Sequence, residues 1–479
     1  MTSYCVDELG KRKKIIYPSE LFFFLYVSLN FPYVARLCAS NLAKHIKKIT
    51  ASFGVDYFLL LPLYNFAKQK NTSIHQHVNS STHQHVNLPT YQLDNMQFET
   101  KAIRLQMPGT QQREHSTPLY NTSSYRFDNA EHMRAAFAGE IEANIYSRYT
   151  NPNVREFEQK IAALEGCEDA FGTASGMAAV FTSFASILES GDHVLASSSL
   201  FGSSFQVVTD TLPKWNIQTT LVSPTQPETW AQHLRPNTKM FFLETPTNPG
   251  LEIIDLEIAG KFAAEHQLIL NVDNCFATPY LQNPAKFGAH LISHSATKYI
   301  DGQGRVVGGV VTGEQKYVDA VRQFVRRTGA SMAPFNAWIL SKSLETLGVR
   351  IDRHCANALK VATFLESHSS VNSVRYPFLD SHPQADIARK QMRQGGGIVT
   401  FEIKGGLDAG RRFLDSLKMF SLSANLGDAR SIATHPASTT HSKLPTEVRA
   451  KMSITDGLIR ISTGLEHIDD IIADIEQAI

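Results

Sequence analysis

The stretch SHSATKYIDGQGRVVGGVV, residues 293–311, sets Lys298 directly behind two hydroxyls, Ser295 and Thr297, and just ahead of a run of glycines. An amine that closes an apolar run can be desolvated, and a lysine whose pKa is lowered in that way becomes a nucleophile for carbonyls. The two hydroxyls suit an oxyanion. Upstream, LILNVDNCFATP, residues 268–279, closes a second apolar run on Asp273, a carboxylate that either caps the next turn or faces a cationic ligand group. Further upstream, GTASGMAAVFTSFASIL, residues 172–188, reads as a small-residue turn opening a long amphipathic helix. Ser175, Gly176 and Met177 would there present free N–H groups at the positive end of the helix dipole, a ready anion site. Taken singly, each feature also has a plain structural explanation: an N-capped helix, a capped turn, a surface lysine.

These residues need elements to hold them. Between about 165 and 320, short apolar runs alternate with helical patterns: HVLAS, TTLVS, KMFFLE, LILNVD, HLISHSATK and GGVVT. Several are apolar on successive residues, which predicts parallel strands buried on both faces between helices, an α/β domain. In such open sheets ligands sit at the carboxyl ends of strands, where Asp273 and Lys298 fall. With 479 residues, 43% apolar and 19% charged, the chain is long enough for two or three domains. A formal net charge of +1 gives no global basic field for nucleic acid. Five scattered cysteines, Cys5, Cys38, Cys167, Cys275 and Cys355, show no pairing typical of metal knuckles or disulfide scaffolds and fit a reducing cytoplasm.

Residues 1–95 read differently. The basic KRKK at 11–14 precedes the apolar run LFFFLYVSLNFPYVA, an order that mimics a secretory signal, but Asn30 and Pro32 interrupt a run too short to span a membrane. The near-duplicate IHQHVNSSTHQHVNLP, with His75, His77, His83 and His85, reads as a polar linker without fixed metal-binding geometry. This extension is expected to be dispensable, and neither membrane nor metal is expected.

An amine for an aldehyde, an acid for a ring nitrogen and donors for a phosphate are together the parts of a pyridoxal 5'-phosphate site. In these motifs, their order and their extent, about residues 96–479, the chain resembles the Cys/Met metabolism family of pyridoxal-phosphate enzymes. That resemblance implies the type I fold of these transferases, with a mostly parallel sheet in a large domain and a smaller C-terminal α/β domain. It sets an N-terminal arm at 96–150, the cofactor-binding domain at 151–350 and the substrate-carboxylate domain at 351–479. It implies that Lys298 is the Schiff-base lysine, Asp273 the ring-nitrogen partner, and Ser175, Gly176, Met177, Ser295 and Thr297 the phosphate site. Phe201 in SSSLFGSSF matches the aromatic that stacks on the ring, and Asn248 in ETPTNP an asparagine near the phenolic oxygen. Tyr146 and Arg148 in YSRYTNPNVREFE match a pair that reaches the neighbouring subunit's cofactor phosphate, with Tyr146 assisting a proton transfer. Active sites shared within a dimer, paired into a tetramer, follow from the same likeness.

Toward the C-terminus, the resemblance implies that Arg460 in GLIRISTGLEHIDDIIADI grips the substrate's α-carboxylate, with Asn425 in SLSANLGDARSIATHPAST alongside. His435 reads as a structural loop residue, and GGGIVTFEI, residues 395–403, as a glycine turn feeding a strand rather than a nucleotide loop. One departure bears on the substrate. In the lyases and the cystathionine γ-synthases of this family the stacking position is often tyrosine, whose hydroxyl is placed to help the side-chain leaving group depart, whereas Phe201 has no hydroxyl. With NLGDARS at 426–431 and the residue before, this resembles the branch that joins sulfide to O-succinylhomoserine by γ-replacement, giving homocysteine for methionine biosynthesis. Use of the acetyl ester, or of cysteine in place of sulfide, would need no different residues.

Overall fold

The computed structural model describes residues 2–6, 12–16, 96–439, 442, 449 and 454–479. The chain divides into two units, Met1–His85 and Val86–Ile479. In the first, strands β1 (Thr2–Val6) and β2 (Arg12–Ile16) pair antiparallel. The apolar run after KRKK and the histidine repeat lie outside the described residues.

The second unit holds two sheets. The larger has seven strands: β3 (Asp169–Thr173), β4 (His193–Ser197), β5 (Gln218–Val222), β6 (Thr238–Glu244), β7 (Ile269–Asp273), β8 (Leu291–Ser295) and β9 (Gly309–Gly313). Their order is β3-β9-β8-β7-β6-β4-β5. Every apolar run read as a strand is one. The consecutive apolar residues of β6 show why: Met240 and Phe242 pack into one core, Phe241 and Leu243 into the core on the opposite face. Pairings β8 to β7, β7 to β6, β6 to β4 and β4 to β5 are parallel. The GGVVT strand departs from the parallel expectation, because β9 pairs antiparallel with both β8 and β3. A parallel return needs a crossover, usually helical, and residues 296–308 between β8 and β9 contain turns and no helix.

The smaller sheet contains β10 (Val371–Arg375), β11 (Ile398–Ile403), β12 (Ser421–Leu422), β13 (Ile432–Thr434) and β14 (Leu458–Ser462). Its order is β10-β11-β14-β13-β12, which puts β14 in the middle. Helix α1 (Leu347–Glu366) joins the two parts of this unit. Leu347, Ile351 and Cys355 belong to the core beneath the large sheet, and Ala358, Val361, Ala362 and Leu365 to the core of the small one. A boundary at 350/351 therefore falls inside a continuous, twenty-residue helix.

The segment 96–150 is largely irregular and is stitched down by side chains of the helix Pro152–Glu165 and its cap. Asn151, buried, donates to Tyr120 O (3.0 Å), the Tyr125 hydroxyl (2.9 Å) and Ser147 Oγ (3.1 Å). Asn153 accepts from Tyr120 N at 2.7 Å and donates to Pro118 O at 2.9 Å. Irregular backbone must bond somewhere, and these amides supply the partners a strand or helix would.

Candidate active site

Parallel strands end on one edge of the sheet, and the residues singled out above gather there. Strand β7 ends on Asp273 and β8 on Ser295, with Lys298 in the turn that follows. The Lys298 amine donates to Asn425 Oδ1 at 2.6 Å. Burial, chiefly, pushes its pKa below the ordinary lysine value; Cys275 opposes this and the Arg460 charge adds to it. An amine of this kind is a nucleophile and a base.

Asp273 is buried, with one carboxyl oxygen accepting from Cys275 N at 3.0 Å. Burial raises its pKa to about 6 against the opposing pull of that N–H and of His294. Its other oxygen has no hydrogen bond among the described residues, which leaves it an acceptor for a protonated ring nitrogen.

The turn at Ser175 is an N-cap: its hydroxyl accepts from Ala178 N at 3.1 Å as the helix Gly176–Ala185 begins. That helix is ten residues, shorter than the stretch 172–188 suggested, since Gly172 and Thr173 belong to β3 and Ser186 stands at its C-cap. The N–H groups of Gly176 and Met177 fall in the first turn, where helices leave donors without intrahelical partners. A Cβ on Gly176 would stand 2.4 Å from the Ser295 Cβ, so glycine lets the helix start against the end of β8. Thus the Ser295 hydroxyl lies against the start of this helix, 2.7 Å from where a Gly176 Cβ would stand, an arrangement suited to a phosphate. Thr297 is less free, since its hydroxyl exchanges hydrogen bonds with Gly308 O (3.2 Å) and N (3.1 Å).

Arg460 occupies the centre of β14, paired in register with Thr400 on one side and Thr434 on the other. Its Nη1 donates to Asn248 Oδ1 at 3.0 Å and its Nη2 to Asn425 O at 3.1 Å. Nε is buried and unpartnered, and burial lowers the pKa to about 10. A desolvated guanidinium with a spare donor suits a carboxylate. Asn248 and Asn425 thus meet Arg460, and Asn425 also meets Lys298, linking the two ends of the site.

Phe201 stands 41% exposed at the start of a short helix, its ring open to a partner. Tyr146 is equally exposed, and Arg148 lies 4.7 Å over the Tyr149 ring while bonding to Arg326 O. Among the described residues, no hydrogen bond joins these two to the Lys298 group. His435 bonds to Ser438 Oγ and Asp456 O, both at 2.8 Å, as a loop residue would. GGGIVTFEI feeds β11.

Glu244 escaped the sequence reading. It ends β6 directly beside Asp273 in the parallel register, is buried, and accepts the N–H groups of Phe201 and Asn248, both at 2.8 Å. The signal was present in KMFFLE, an acid closing a buried strand next to the one that closes on Asp273.

The profile of the Cys/Met metabolism PLP-dependent enzymes matches residues 99–479. An O-succinylhomoserine sulfhydrylase of Pseudomonas aeruginosa is 45% identical over 387 residues, covering 81% of this chain and 96% of the relative. An L-methionine gamma-lyase of Porphyromonas gingivalis is 41% identical, covering 76% and 92%. A solved Campylobacter jejuni structure described as an O-acetylhomoserine (thiol)-lyase, holding a pyridoxyl-lysine phosphate, superposes with TM-score 0.77 at 35% identity, covering 80% and 99%. The desolvated amine, the half-open buried acid and the helix-start cradle fit that cofactor.

Proposed function

The chain belongs to the Cys/Met metabolism family of pyridoxal-phosphate-dependent enzymes, and on that premise we propose that it catalyses γ-replacement on O-succinylhomoserine with sulfide, giving homocysteine and succinate. Phenylalanine at 201 carries this reading. A succinyl group leaves as the anion of an acid with a pKa of about 4 and needs no proton, whereas a thiolate such as methionine would release belongs to a thiol of about 8.5 and gains from a donor. The Phe201 ring has none to offer. Similarity to the Pseudomonas sulfhydrylase supports the same choice.

Pyridoxal phosphate, when bound, supplies an electron sink for charge developed at the substrate's Cα and Cβ. Lys298 would hold it at the end of β8, with the Gly176 and Met177 N–H groups and Ser295 around its phosphate, Phe201 over its ring and Asp273 on its ring nitrogen. Arg460 would orient the amino acid by its carboxylate, with Asn248 and Asn425 fixing the guanidinium. With Lys298 released from the cofactor, its free Nζ would take the Cα proton, helped by burial that disfavours its charged form. With that proton passed on to the conjugated cofactor–substrate system, the neutral Nζ would take a Cβ proton, and the Cγ–O bond would break to release succinate. Sulfide forms the Cγ–S bond, and Lys298 returns protons to Cβ and Cα. Oxidation level is unchanged throughout. Tyr146 of a second subunit would stand close enough to assist one transfer, in a dimer with shared sites.

The deciding assay offers both acyl esters with both sulfide and cysteine, and methionine alone. The reading predicts the highest kcat/KM for O-succinylhomoserine with sulfide. A preference for the acetyl ester, efficient cystathionine formation, or methanethiol release from methionine as the main activity would each replace it.

A further inference from the structure

Glu244 touches neither end of the site directly, yet its two oxygens hold the main chain of two residues that do. One accepts from Phe201 N and the other from Asn248 N, each at 2.8 Å. Phe201 begins the short helix that carries the exposed ring, and Asn248 passes its side-chain oxygen to Arg460 Nη1 at 3.0 Å. A single carboxyl therefore sets the position of the aromatic and, through one amide, of the arginine. We propose that Glu244 is a positioning residue, fixing Phe201 over the cofactor ring and Asn248 against Arg460.

The placement carries a cost that a merely structural residue would not be expected to bear. Glu244 is buried, and it lies beside Asp273 at the same register on the neighbouring parallel strand. Burial and then the Asp273 charge push its pKa well above the usual carboxylate range, while the two N–H donors pull the other way. Two adjacent buried carboxyls oppose each other's ionisation, an arrangement that clusters at functional sites.

The inference rests on Phe201 and Asn248 facing the cofactor, and its test needs no acyl substrate, so its failure is separable from that of the substrate reading. In Glu244→Gln, whichever way the amide turns, its NH2 must face one of the two main-chain N–H groups, and one bond is lost. Glu244→Asp keeps the charge but withdraws both oxygens by a methylene. Holoenzyme of each variant, shown folded by far-ultraviolet dichroism, is titrated for pyridoxal phosphate affinity and read for the visible dichroism of the bound cofactor. Both variants are expected to bind the cofactor roughly tenfold or more weakly and to show reduced visible dichroism. Wild-type affinity and dichroism in the folded variants, even with a lowered melting temperature, would overturn the proposal in favour of a structural role. A defect in Glu244→Gln alone would overturn it in favour of a purely electrostatic effect on Asp273.

Discussion

The Lys298 amine and the Asn425 side-chain oxygen stand 2.6 Å apart, closing a hydrogen bond between the turn after β8 and the loop leading into β13. The same loop offers the Asn425 carbonyl to Arg460. The Lys298 amine and the Arg460 guanidinium are therefore tied through one residue.

Lys298→Ala is expected to lower turnover by roughly a thousandfold or more, because it removes the tether and the Cα base together. Homocysteine formation by the purified variant, with unchanged far-ultraviolet dichroism, is the measurement. Substantial residual turnover would show that another group takes the Cα proton.

The raised pKa of Asp273, about 6, gives a pH dependence with a definite sign. In the apoenzyme a raised carboxyl contributes stability that is full below its unfolded pKa and is lost as pH rises through about 6. Cofactor affinity should run the other way, since a protonated ring nitrogen needs the ionised acid: it is expected to strengthen as pH rises through that range. Titrations of apoenzyme with pyridoxal phosphate from acid to neutral pH check this, and Asp273→Asn should abolish the trend.

Arg460→Lys keeps the charge but loses the planar fork. Loss of a charge-assisted bond predicts a rise in KM for the amino acid of roughly tenfold to a hundredfold, with cofactor affinity unaffected. Steady-state kinetics beside a cofactor titration separate the two.

Asn151→Ala removes three donated bonds and the cap that accepts from Asn153 N at 2.9 Å. A destabilisation of about 1–3 kcal/mol in urea unfolding is expected. If Tyr146 and Arg148 serve a neighbouring site, activity per folded chain should also fall.

A chain beginning at Met96 is expected to retain full activity, because the family match begins only at residue 99. Equal kcat/KM for the full-length and shortened proteins is the result sought, and insoluble or inactive protein would show that the extension supports the enzyme.

The large sheet was legible because consecutive apolar residues have one simple explanation, burial on both faces, and the acid and amine that close β7 and β8 interrupt it visibly. The direction of β9 was not, since direction depends on the absence of a crossover helix rather than on GGVVT itself. Glu244 was passed over for a different reason: a glutamate before TP looks like any turn residue until strand register sets it beside Asp273. Likewise the contact between Asn248 and Arg460 joins positions 212 residues apart, and no local pattern could announce it.

Helix α1 rises about 1.5 Å per residue, so its twenty residues form a rod of about 30 Å with one end in each core. A rod shared in this way transmits load instead of absorbing it. Together with the Asn425 contacts, it sets the spacing between the Lys298 amine and the Arg460 guanidinium within the chain itself. Heat should find no weak seam between the halves: calorimetry of the enzyme is expected to show one endotherm, with both sheets lost in the same step.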